Sequence, residues 1–172
     1  MKKIVWSYGL PAGLISLLGY ALTTITGADH MMLSMIYGFA SMILGFSLIF
    51  VAVKKYRETI GAGTITFGKA FLIGLYIVLI ASTIYVVAWL IYYYNFFPDF
   101  PQKYAAMSLE QMRENGASAA EIAKTQAEMD EFIISYQNPL FVTVMTYVEI
   151  LTVGLPIALL SAALLKRKPK LA

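Results

Sequence analysis

The chain has 172 residues, of which 59% are hydrophobic and 13% charged, whereas soluble domains average about 45–50% and about 25%. A soluble core of this size hides only about two-thirds of the surface its chain exposes, so this composition excludes a water-soluble fold and requires lipid as cover. The net charge of +3 says nothing about nucleic acid until the basic residues are located, and the absence of cysteine excludes a disulfide framework, a thiol nucleophile and a thiolate metal site.

The first expected element is a transmembrane helix over residues 4–27, since no charge falls between Ile4 and Ala28. A helix needs about 20 apolar residues to cross a hydrocarbon core of about 30 Å, and only helices pair their backbone groups within one segment in lipid. Met1-Lys2-Lys3 before an apolar run also suits a secretory signal. The run is longer than the roughly 7–15 residues of a signal core, which favours a retained span. Gly9-xxx-Gly13 followed by Ser16 gives a small-residue face for close backbone approach, to a neighbouring span or to a second copy. Pro11 is expected to kink the helix.

Asp29 and His30 stand at the first turn. His30 is the only histidine, and one imidazole in a tight turn lacks the companions that a metal or a catalytic triad requires. It is kept as a candidate functional residue beside its plainer reading as a polar hairpin tip.

The second span is expected over residues 31–53, with Ser41-xxx-Gly45 as its small-residue face. A loop over 54–69 follows, carrying Lys54, Lys55, Arg57 and Lys69. Within it Gly63-Thr-Ile-Thr-Phe-Gly68-Lys69 fits GxxxxGK. A phosphate-binding loop also needs Ser or Thr after the lysine and a strand before the loop. Ala70 occupies the hydroxyl position and a span begins at once, so no nucleotide is expected. Lys69, the second candidate functional residue, reads as a cation snorkelling from the base of the third span.

The third span is expected over residues 70–94, with Ala70-xxx-Gly74 for packing. Tyr92, Tyr93, Tyr94, Phe96 and Phe97 cluster where it leaves the bilayer, as aromatic residues do at membrane interfaces. Residues 98–138 change character, with seven acids against three bases. Pro101 suits a helix start and Gly116 a stop. Ser118-Ala-Ala-Glu121 is a capping box, and the helix it opens places Ala119, Ile122, Met129, Ile133 and Tyr136 on one stripe. The polar face is acidic, unlike helices that lie on anionic lipid. The segment is expected to form an amphipathic helical hairpin over the bundle mouth, with the 118–136 helix as a candidate partner surface.

The fourth span is expected over residues 139–165, with Gly154-xxx-Ala158-xxx-Ala162 for packing and Pro156 as a kink. Glu149 is the one ionisable residue inside any span. It lies about 13 Å along the helix from Leu140 at 1.5 Å per residue, where a charge is costly and points to function by default. It is the third candidate functional residue. The plainer reading is a protonated carboxyl bonded to a facing hydroxyl such as Tyr76, Ser82, Thr83 or Tyr85.

Ten of the thirteen Lys and Arg fall before span one, between spans two and three, or after span four. The positive-inside rule then places both termini in the cytoplasm and the 98–138 segment outside it. The basic balance is thereby a topological signature, and no nucleic-acid partner is expected. The fold class expected is all-α: a polytopic membrane protein of four transmembrane helices with an extracytoplasmic helical segment. No convincing internal repeat accompanies it.

The runs Phe46-Ser-Leu-Ile-Phe50, Lys54-Lys-Tyr-Arg57 and Gly63 through Phe71, with Tyr85 and Trp89, Pro98-Asp-Phe100, Lys103-Tyr-Ala105, Gly116-Ala117 and Tyr136-x-Asn138-Pro139, resemble a bacterial membrane family. That family is catalogued as "domain of unknown function 4199", and the similarity covers nearly the whole chain. The resemblance implies four spans in an inner membrane and supplies no activity, cofactor or site residue. From the residues themselves, the small-residue helix faces, the outer amphipathic helices and the lack of a catalytic set point to a non-enzymatic function through protein–protein contacts in the bacterial envelope, with self-association through Gly9 and Gly13 as one form of it. The alternative is a small oligomeric transporter or channel using Glu149. An enzyme built around His30 is a third class without positive support.

Overall fold

The structure, a computed structural model, describes residues 1–26 and 31–167. Among these residues seven helices follow in chain order: α1 (Lys2–Ser16), α2 (Leu18–Thr26), α3 (Met31–Thr59), α4 (Phe67–Phe96), α5 (Phe100–Glu114), α6 (Ala119–Ser135) and α7 (Pro139–Leu165). Four segments among the described residues are long and apolar enough to cross a bilayer: Lys2–Thr23, Leu33–Thr59, Phe67–Phe96 and Pro139–Leu165. The fold is that of an all-α polytopic membrane protein.

The spans form one bundle in which α3 and α4 each pack against both α1 and α7. Its centre holds Met42, Phe46, Ile49, Ile73, Ile77, Val78 and Ile150, all fully buried. Backbones approach closely at the small residues. A Cβ on Gly13 would lie 2.7 Å from Ile84 Cδ1 and 3.2 Å from Ala81 Cα, and Gly9 abuts Ile80. The Gly9–Gly13 face is thus taken up by α4 within the chain. A Cβ on Gly154 would meet Val78 at 2.7 Å, and one on Gly74 would meet Ala158 at 2.8 Å. Outward positions such as Trp6, Leu14, Ile43, Leu44, Val87 and Leu164 are exposed and apolar, a surface suited to acyl chains and unsuited to water.

Span one is interrupted, six residues after Pro11. The Tyr20 amide bonds to the Leu17 carbonyl at 3.1 Å instead of to Ser16. The Ser16 carbonyl so released accepts from Ser41 Oγ at 3.0 Å. A hydroxyl from α3 thereby enters the ladder and divides α1 from α2. Gly27 through His30 lie outside the described residues.

The expected loop over 54–69 is shorter than its charges suggest. Helix α3 continues through Lys54, Lys55 and Arg57 to Thr59, and α4 starts at Phe67. Lys and Arg are good helix formers that reach for water from within a helix, so charge marks the limit of the oily core and not of the helix. The remaining connection is fastened to the far end of α7. Ile65 and Arg167 exchange backbone hydrogen bonds of 3.0 and 2.9 Å, and Arg57 Nη1 donates to the Leu165 carbonyl at 3.3 Å.

At the opposite end α5 and α6 pack into a hairpin. The capping box is complete: Ser118 Oγ accepts from the Glu121 amide at 3.3 Å, and the Glu121 carboxylate accepts from the Ser118 amide at 2.8 Å. Ile122, Met129 and Ile133 are half-buried along the stripe, while Ala119 is exposed. The molecule thus has a basic end, where Arg57, Lys69 and Arg167 stand, and a hairpin end formed by α5 and α6.

Candidate functional site

The hairpin is joined to the bundle by aromatic side chains. Trp89, Tyr93, Tyr136 and Val142 form a buried cluster. Trp89 Nε1 donates to the Tyr136 hydroxyl at 3.0 Å. The Tyr93 ring meets Tyr136 edge-on at 5.1 Å, and Phe100 meets Trp89 edge-on at 4.8 Å. Tyr20 of α2 stacks on Trp89 at 5.5 Å and lies 5.0 Å from Tyr85, with which its hydroxyl hydrogen-bonds. One patch therefore holds together α2, α4, α5 and the α6–α7 junction. Burial pushes the Tyr136 phenol above its ordinary range, and the nearby Glu149 carboxyl adds to that. Sequence alone assigned Tyr92 to Phe97 to the membrane interface. Tyr94 and Phe96 are indeed exposed, but Tyr93 is buried in the cluster.

Glu149 lies beside this cluster. The α7 residues Val142, Thr146, Ile150 and Gly154 point into the bundle. Glu149 stands about 100° around the helix from Ile150 and is exposed. Its carboxyl is within electrostatic reach of the Tyr20, Tyr85 and Tyr136 hydroxyls. Among the described residues it has no side-chain hydrogen bond and no ion pair. None of the four hydroxyls expected for it, those of Tyr76, Ser82, Thr83 and Tyr85, is hydrogen-bonded to it among the described residues. Thr83 Oγ1 lies 3.0 Å from the Tyr147 hydroxyl, Tyr85 bonds Tyr20, and Ser82 Oγ is buried in the bundle without a partner. The plain reading of Glu149 as internally satisfied is corrected accordingly.

The other two candidates do not join it. Lys69 is at the basic end, exposed in the first turn of α4, with its ammonium 5.7 Å from the centre of the Tyr56 ring. Four amides of the GxxxxGK loop are spent internally: Gly63 on Arg57, Thr64 on Gly61, Ile65 on Arg167 and Lys69 on Thr66 Oγ1. Those N–H groups do not converge on a phosphate as in a nucleotide-binding loop. His30 lies outside the described residues. Sequence reasoning missed Tyr20, whose part depends on the break at Leu17, and took Ser41 only as a packing residue, without the hydroxyl contact to Ser16 that makes that break.

No curated protein and no solved structure matches the chain. The model of one family, described as "Protein of unknown function (DUF4199)", matches residues 7–167. The match runs from span one through the Arg167 that fastens the connection between α3 and α4, and the chain belongs to that family.

Proposed function

We propose that this protein is a non-enzymatic component of a bacterial cytoplasmic membrane, with both termini in the cytoplasm, and that it acts through contacts with another membrane protein. The observation that carries this reading is Glu149, exposed on the outside of α7 and without an internal partner among the described residues. A carboxylate presented to lipid at the centre of a span costs about 2.5–3.5 kcal/mol. A neighbouring transmembrane helix offering a donor or a cation removes that cost and gives the residue a purpose. The exposed apolar neighbours Met145 and Val148 on the same face supply contact area around the polar group.

The test places a photo-crosslinking residue at Val148 in native membranes. A defined adduct with one membrane protein is expected, and it should be lost in Glu149→Leu while the melting temperature in mild detergent holds or rises. An identical adduct in Glu149→Leu, or adducts to lipid alone, would contradict the proposal. Proton flux in proteoliposomes that disappears in Glu149→Gln would contradict it in favour of transport.

A further inference from the structure

The basic end carries a second feature, independent of Glu149. Three elements bring cations together there: Arg57 from the end of α3, Lys69 from the first turn of α4, and Lys166 and Arg167 beyond α7. They are held in place by backbone. The Ile65–Arg167 pair ties the tail to the connection just before α4, and Arg57 reaches across to the Leu165 carbonyl. Lys69, Lys166 and Arg167 are exposed, and none of them has an acidic partner among the described residues. The one acid on this end among those residues, Glu58, lies 3.6 Å from Arg57. No acid occupies the first turn of α4, so its positive helix end adds to the field.

The wall beside these cations is oily. Leu160 and Leu164 project from the last turns of α7, and Phe67 from the start of α4, all exposed. Free phosphate or a nucleotide would gain nothing from that wall. A molecule with an anionic phosphate headgroup and acyl chains would satisfy both parts at once. We propose that the surface formed by Lys69, Lys166 and Arg167, walled by Phe67, Leu160 and Leu164, binds the headgroup of an anionic phospholipid. Each Lys or Arg at such a surface strengthens association by roughly fivefold.

The full chain in mild detergent is titrated with cardiolipin, with phosphatidylcholine and with inorganic phosphate, and read by native mass spectrometry and melting temperature. Cardiolipin is expected to remain bound and to raise the melting temperature, with phosphatidylcholine and phosphate inert. The triple variant Lys69→Gln, Lys166→Gln, Arg167→Gln should bind cardiolipin about a hundredfold more weakly. A variant with Lys69→Arg, Lys166→Arg and Arg167→Lys should regain it. The triple variant keeps Lys54, Lys55 and Arg57, and its melting temperature without lipid reports whether it is folded. Equal binding of phosphatidylcholine, equal protection by inorganic phosphate, unchanged affinity in the triple variant, or failure of the charge-preserving variant would each overturn the proposal.

Discussion

Tyr136 shows how one side chain can join separate parts of a membrane protein. It caps α6, accepts from Trp89 of α4 and packs against Tyr93, Phe100, Phe132 and Phe141. Its burial leaves the Trp89 N–H without access to water, so the hydroxyl is the acceptor that prevents an orphaned donor. Tyr136→Phe keeps the ring and removes only the oxygen. The expected loss is about 1–3 kcal/mol, the cost of an unsatisfied buried donor, measured as a lowered melting temperature in detergent. In a Trp89→Phe background, where the donor is already absent, the further change Tyr136→Phe should cost less than it does in the parent. A Tyr136→Phe protein as stable as the parent would mean that the hydroxyl contributes nothing.

At the scale of elements, the four spans were legible because an uninterrupted uncharged run can satisfy its backbone in lipid only as a helix. The α6 start was equally plain, since Ser118 and Glu121 occupy the capping-box positions, and the structure completes both bonds. That cap has a pH dependence of known sign. The hydrogen bond from the Ser118 hydroxyl, with that from the Ser118 amide, holds the Glu121 carboxyl below its ordinary value of 4.5. A lowered value in the folded state contributes stability above the ordinary value, and that stability is lost as pH falls through the folded one. Helix α6 should therefore fray on acidification below about pH 4.5. In Ser118→Ala, which keeps the amide at 118 and removes the hydroxyl, the Glu121 resonance should titrate nearer the ordinary value and the acid-induced fraying should shrink accordingly, both visible by NMR of labelled glutamate. A Ser118→Ala protein with the parental Glu121 titration would remove the cap from the account. Other features were hidden because they arise between elements. The break at Leu17 depends on a hydroxyl arriving from Ser41, twenty-five residues beyond Ser16. The extension of α3 to Thr59 was masked by charges that a helix tolerates at its end. The depth of Glu149 could be counted from the sequence, but its outward direction rests on which flank of α7 the bundle covers.

The whole molecule is polar along its long axis, and that polarity fixes what can be learned about its placement. Four spans return the chain to the side on which it started, so the two termini share a compartment, and the basic residues of α3, α4 and the tail share it with them. The proposed orientation puts this end in the cytoplasm, as the positive-inside rule predicts, and would put the acidic hairpin of α5 and α6 on the opposite surface. The chain contains no cysteine, so single cysteines can be introduced without background. Glu128 on α6 and Lys54 on α3 are both exposed, and both lie beyond the apolar stretch of the nearest span. In intact cells stripped of their outer barrier, a membrane-impermeant maleimide should label Glu128→Cys and leave Lys54→Cys untouched. After permeabilisation both should react. The reverse pattern would invert the molecule and place the phospholipid surface and the hairpin in each other's compartments. Labelling of both before permeabilisation, in a protein that stays in solution without detergent, would remove the bilayer from the argument altogether. The apolar outer surface of α1, α3, α4 and α7 would then need a protein cover in place of lipid.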